Sequence, residues 1–155
     1  MHFSEQIKVP VSLSEAWSFI WDVQRLAGCL PGCVGVQEVD AGVRYKAQFA
    51  DQIGPYKLRF DLDVDVLEAK PQEVVRVLAS GQDRRMGVSQ RANLTVKLQE
   101  DGPSRTALLV DADLEVIGKV ATLGQFVIKR KAQDIVKQFT RNIESELKVG
   151  GAANA

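Results

Sequence analysis

Tyr56-Lys-Leu-Arg-Phe-Asp-Leu-Asp-Val-Asp-Val66 alternates without a break: Leu58, Phe60, Leu62, Val64 and Val66 point one way, and Arg59, Asp61, Asp63 and Asp65 the other. A strand that is apolar on one face and charged on the other belongs to an antiparallel sheet with one solvated side. The pattern recurs downstream. Leu94, Val96 and Leu98 oppose Arg91, Asn93, Thr95 and Lys97, and Leu108, Val110, Ala112, Leu114 and Val116 oppose Asp111, Asp113 and Glu115. Turn signals at Asp40-Ala-Gly42, Gly54-Pro55, Lys70-Pro71, Gly81 to Gly87 and Asp101-Gly-Pro103 divide the region after Val34 into six strands. Upstream, Phe3, Ile7 and Val9 share a face and predict a strand over 3–9, stopped at Pro10. Between these regions the period is helical. Ser12 or Ser14 is placed to cap a helix carrying Trp17, Ile20 and Trp21, and Asp22 to cap a short second one through Leu26 that Gly28 stops. Leu30-Pro-Gly32 reads as a turn.

Beyond Gly118 one apolar stripe runs through Val120, Leu123, Val127, Ile128, Ala132, Ile135, Phe139, Ile143 and Leu147, at spacings of mostly three or four. A helix of about thirty residues spans about 45 Å and can cross a whole sheet. The predicted class is therefore α+β: a seven-stranded curved antiparallel sheet wrapped around a long C-terminal helix, with two short helices after strand 1. Residues 1–148 form a single domain and 149–155 a small-residue tail. A strongly twisted sheet cannot touch one straight helix everywhere, and the gap is where a ligand would sit.

Composition narrows the function. The 155 residues carry 20 basic and 20 acidic side chains, and this balance excludes general nucleic-acid binding, which needs a local surplus of Lys and Arg. Met1 to Val9 lacks the continuous apolar core of a secretory signal, and no segment reaches the roughly 18 apolar residues of a spanning helix, so a cytoplasmic protein is expected.

Catalytic signals are sparse. The only histidine is His2, which leaves no basis for a Ser-His or Cys-His nucleophilic pair or a multi-histidine metal site. Asp61, Asp63 and Asp65 superficially open a calcium loop, but Val66 stands where Gly is needed, and a strand separates these carboxylates rather than gathering them. Cys29 and Cys33 have three residues between them and no second pair, so packed thiols are expected. The basic run Lys129 to Lys131 and the pair Arg84-Arg85 read as solvated charge. Neither metal nor cofactor is expected.

Three segments carry a resemblance. Ala27-Gly-Cys-Leu-Pro-Gly-Cys33, Ile53-Gly-Pro-Tyr-Lys-Leu-Arg-Phe60 and Gly118-Lys-Val-Ala-Thr-Leu-Gly-Gln-Phe-Val-Ile128 together resemble the CoxG family of carbon monoxide dehydrogenase subunits, over roughly residues 1–148. The resemblance implies the helix-grip fold of START domains, birch-pollen-allergen-like proteins and polyketide cyclases. It also implies an accessory role beside molybdenum hydroxylases of the carbon monoxide dehydrogenase type, with quinone handling and transient contact at the inner face of the membrane. The family offers no universal catalytic residues to carry over.

The expected function is thus non-enzymatic binding of an apolar molecule, a quinone or another isoprenoid lipid. The expected lining is Trp17, Trp21, Tyr45, Phe49, Phe60, Leu62, Leu94, Val110, Leu123, Phe126 and Val127, with Met86 and Arg130 near the mouth. Two alternatives stand beside it. One is a polyketide cyclase-like enzyme using a carboxylate, Tyr45 or Tyr56 as acid or base. The other is a protein-interaction module for oxidoreductase assembly, docking through the basic run and the Arg84-Arg85 loop.

Overall fold

A computed structural model describes residues 1–154, with side chains through Lys148; the tail expected at 149–155 lies outside the residues whose side chains are described. Strand β1 (His2–Val9) is followed by helices α1 (Leu13–Trp21) and α2 (Val23–Cys29). Six consecutive strands come next: β2 (Cys33–Asp40), β3 (Arg44–Ile53), β4 (Tyr56–Lys70), β5 (Val74–Asp83), β6 (Val88–Glu100) and β7 (Thr106–Gly118). A 3-10 turn (Lys119–Leu123) leads into α3 (Gln125–Asn154). The strands form one antiparallel sheet in the order β1-β7-β6-β5-β4-β3-β2, so each hairpin pairs sequence neighbours and β1 closes on β7. This is the predicted α+β architecture.

Register follows the alternation. Phe49 lies opposite Phe60 and Tyr45 opposite Val64, so apolar side chains of β3 and β4 share the inner face, while Arg44 meets Asp65 on the outer face at 2.7 Å. Asp61, Asp63 and Asp65 accordingly belong to a solvated strand face. Leu67 continues the outward phase and is 59% exposed, and a bulge between Val66 and Glu68 shifts the register beyond it.

Three local boundaries differ from the sequence reading. Ser12 caps α1 through the Glu15 N–H, but Asp22, at the start of α2, makes no side-chain cap bond, and α2 continues through Gly28 to Cys29. Val120 and Leu123 lie on the 3-10 turn and not on the long helix, because Gly124 adopts φ +92° and breaks the helical run before Gln125. The stripe read as one helix is therefore a turn and a helix. Gly118, at φ +126°, ends β7 against the β5–β6 turn, where a Cβ would stand 2.2 Å from the Gly87 carbonyl oxygen.

Asp83 organises that turn. It is buried, and its two oxygens accept the Arg59 N–H at 2.8 Å and the Met86 N–H at 3.1 Å. Burial alone would raise its carboxyl pKa; the backbone donors and the Arg85 guanidinium outweigh this and hold it below the ordinary value.

The outer face of β1 holds an arrangement that the sequence reading set aside. His2 Nδ1 lies 2.8 Å from Asp113 and Nε2 lies 3.0 Å from Ser4 Oγ, a Ser-His-Asp row across β1 and β7. The Ser4 hydroxyl, however, donates to Asp111, so its proton is not directed at the imidazole. The row acts as a clasp on the edge strand. Hydrogen bonding to Asp113, and the charges of Asp113 and Asp111, raise the His2 pKa above 6.5. A raised pKa stabilises the fold fully below about 6.5 and loses that contribution as pH rises through the folded value. Melting temperatures across that interval should show a small decline with rising pH that His2→Ala abolishes; an unchanged profile in the variant would rule out the clasp.

Candidate binding groove

The interior divides into two cores. One gathers Ile7, Val9 and Val11 near β1, Ala16 and Phe19 of α1, Cys29, Leu98, Leu108, and Ile143 and Leu147 near the far end of α3. The other gathers Leu58 and Phe60 of β4, Val88 of β6, Val120 of the 3-10 turn and Ile128 near the start of α3. At ~1.5 Å per residue, Ile128 and Ile143 are about 22 Å apart along the helix.

Between the cores much of the inner face is apolar and only half-buried, although Phe3, Tyr45 and Val75 of the same phase are buried. Val64, Val77, Ala79, Ala92, Leu94, Ala112 and Leu114 are half-buried and belong to neither core, as are Ala132, Ile135 and Val136 of α3. The close backbone approaches of α3 are to β1, α2, the 3-10 turn and β3. Ile128 at one end of α3 and Ile143 and Leu147 toward the other pack on the sheet through the two cores, and Ala132, Ile135 and Val136 between them are half-buried. Solvent access to inward apolar side chains beneath a covering helix means that they leave space unfilled.

The reason lies in small residues. Ala79 of β5 faces Ala92 of β6, Gly81 faces Gln90, and Ala112 of β7 faces Leu94. Across the middle of the concave face these small side chains alternate with Val64, Val77, Leu94 and Leu114 to form a floor.

This distribution reorders the expected lining. Trp17 and Val110 pack on the first core, and Trp21 meets Trp17 edge-to-face at 5.7 Å. Phe49, Phe60, Leu62, Leu123 and Met86 pack in or on the second core. Tyr45 is buried with its hydroxyl accepting the Gly42 N–H at 2.7 Å, which ties it to the β2–β3 turn. Of the expected residues, Leu94 stands in the space between the cores. Phe126 and Val127 do not line it: they are 77% and 40% exposed, because the break at Gly124 resets the helix and turns its first residues outward. Arg130 is exposed as well. Ala79, Gly81, Ala92 and Ala112 were missed, although their positions in the inward phase of the strands were a readable signal.

Charge on the inner face occurs at Glu5 of β1, opposite Val110, and at one ion pair. Asp51 of β3 lies opposite Leu58 in the inward phase, between Phe49 and Ile53, and pairs with Lys131 of α3 at 3.0 Å. Lys131, read from the sequence as part of a solvated run, instead turns toward the sheet. Gln90 donates to the Ala79 carbonyl. Cys29 is buried and Cys33 half-buried, both free, and burial pushes the Cys29 thiol up, which leaves it unreactive. The described residues contain no group of acidic, His and Cys side chains able to hold a metal. A hollow of about 520 Å³ on β2, β3 and β4 is lined by Val36, Ala47 and Leu62 together with Gln37, Lys46, Gln48, Asp61 and Asp63.

The family model for the CoxG subunit of carbon monoxide dehydrogenase matches residues 5–148. The chain belongs to the CoxG family. No protein of curated function matches this CoxG-family chain in sequence. Its fold is shared with a conserved protein from Geobacillus kaustophilus (24% identity, TM-score 0.84, covering 96% of this chain and 95% of that one). A START superfamily protein from Mycobacterium smegmatis is similar at 15% identity and TM-score 0.69, covering 95% and 97%. The Zhui aromatase/cyclase from Streptomyces sp. R1128 is similar at 12% identity and TM-score 0.67, covering 95% and 90%. These likenesses establish the START-like helix-grip architecture for the CoxG-family chain. Membership in the family and this fold together support a ligand-binding helix-grip protein. No helix among the described residues is long and apolar enough to cross a membrane.

Proposed function

We propose that the protein is a carrier that lodges an apolar molecule, a quinone or another isoprenoid lipid, between α3 and the central strands, as an accessory to a molybdenum hydroxylase of the carbon monoxide dehydrogenase type. The observation that carries this reading is the separation of the interior into two cores with a half-buried apolar floor between them. Covering that floor contributes about 25 cal/mol per Å² of apolar surface removed from water, so a long tail needs few polar contacts. The cyclase-like alternative is less favoured. Asp83 accepts two backbone N–H bonds and the Tyr45 hydroxyl accepts one from Gly42, so both are engaged in fixing turns.

Loading would bring the end of α3 that lies beyond the second core and carries Phe126 against a membrane. There the exposed Phe126 and Val127 stand near exposed cations of α3 and the 3-10 turn, Lys129, Arg130 and Lys119. An apolar tip among cations suits an anionic lipid surface, which attracts each nearby Lys or Arg by about 1 kcal/mol.

One experiment tests the proposal. Protein is incubated with phosphatidylcholine vesicles, with or without phosphatidylglycerol, doped with a long-tailed quinone, and then separated and extracted for mass spectrometry. Saturable quinone in the protein fraction, appearing faster from the anionic vesicles, is the expected result. A protein fraction free of quinone from both vesicle types would remove the carrier reading.

A further inference from the structure

We propose that Lys131, held by Asp51, is the polar anchor of the groove and selects ligands whose head is a neutral oxygen acceptor of the carbonyl type. This inference rests on the carrier reading and adds the chemistry of the ligand's head.

The pair sits on the inner face at the edge of the second core. Asp51 lies between Phe49 and Ile53, both packed on the second core, and Lys131 follows Ile128 by one helical turn. Their side chains are 21% and 34% exposed. Ion pairs withdrawn from water recover little or none of their desolvation cost, and apolar residues of similar size often do as well. Small-molecule sites, by contrast, set a few polar groups into an apolar lining to orient the ligand.

Donor counting then defines the head. An ammonium has three N–H donors, and Asp51 engages one face of it at 3.0 Å. The remaining donors have no other partner among the described residues, so an oxygen acceptor can take one. An anionic head fits poorly: the pair is already neutral, and a second carboxylate would crowd Asp51 around a single cation. Glu5 of β1, in the inward phase opposite Val110, adds a further carboxylate with no ion partner among the described residues. A carbonyl accepts the hydrogen bond without adding charge. From Lys131 the apolar tail would run past Ile135 toward Phe139, about 12 Å along the helix.

The test is displacement of the neutral dye N-phenyl-1-naphthylamine by nonan-2-one, by dec-1-ene of equal heavy-atom count, and by decanoate. The wild type is expected to bind the dye and to prefer the ketone over the alkene about tenfold. Lys131→Met should keep dye binding and lose the preference. Because that variant strands the Asp51 charge, the double variant Lys131→Met/Asp51→Asn, which leaves no charge at the site, should behave the same way. Asp51→Asn alone should let decanoate compete. Dye binding with no ketone preference in the wild type, or with a preference that survives both Lys131 variants, overturns the anchor and leaves the carrier standing. Failure of the wild type to bind dye, ketone or alkene overturns both.

Discussion

Ala92→Phe should abolish apolar ligand binding and leave the fold intact. Ala92 lies at the centre of the floor, opposite Ala79 on one side and Leu114 on the other, and is half-buried beneath α3. A phenyl ring there would occupy the space that a ligand needs. Affinity for N-phenyl-1-naphthylamine should fall at least tenfold, equivalent to about 1.4 kcal/mol. Stability should move by less than about 1 kcal/mol, because the ring enters space that no side chain holds. Had the interior been solidly packed, the same substitution would overpack it and cost about 1–3 kcal/mol. Dye titration and thermal melting on one preparation therefore separate the two cases. A clear loss of melting temperature with dye affinity unchanged would show that the two cores meet and that there is no groove.

Gly118→Val carries the largest expected loss of stability. At φ +126° its backbone lies in a region that only glycine enters without strain, and any Cβ would meet the Gly87 carbonyl oxygen at 2.2 Å. The contact is backbone against backbone, so no side-chain rotation relieves it. The junction of β7 with the β5–β6 turn would have to move, carrying with it the buried Val88 and Val120 of the second core. A cost of about 3 kcal/mol or more is expected, lowering the melting temperature by roughly 10 °C. Gly124→Ala provides the control. Its φ is +92°, but nothing lies within 4 Å of the added Cβ, so only the backbone strain of about 1–2 kcal/mol applies. Equal losses for the two variants would mean that the close approach at Gly118 is not what constrains the junction.

The two predictions bear on different parts of the molecule. The Gly118 junction fixes where the 3-10 turn and α3 start, and so sets the angle at which the helix crosses the sheet. The Ala92 floor decides whether that crossing leaves room. On the proposed carrier reading, the two cores hold the fold at either end of α3 and the ligand occupies the stretch between them.

The architecture was legible because it rests on periodicity. Alternation from Val34 to Ile117, a helical stripe ending at Leu147 and hairpin-length turns leave little freedom: consecutive antiparallel strands pair with their neighbours, and a single long helix is the element able to cover them. The groove was legible only in part. Periodicity assigns a residue to a face, and Phe49, Phe60, Leu62 and Leu94 were placed correctly on the inner one. Their position along that face, within a core or between cores, depends on where a helix far away in sequence lands. The same limit explains Phe126 and Lys131. A single dihedral angle at Gly124 turned the aromatic ring outward, and contact with a strand some eighty residues earlier turned the lysine inward. By itself the sequence determined which elements form and which face of each is apolar, since both follow from local side-chain spacing. Only the tertiary structure decided which of those faces fill each other and which leave a gap, because packing depends on the sizes of side chains that meet across the fold, and no local pattern records that meeting.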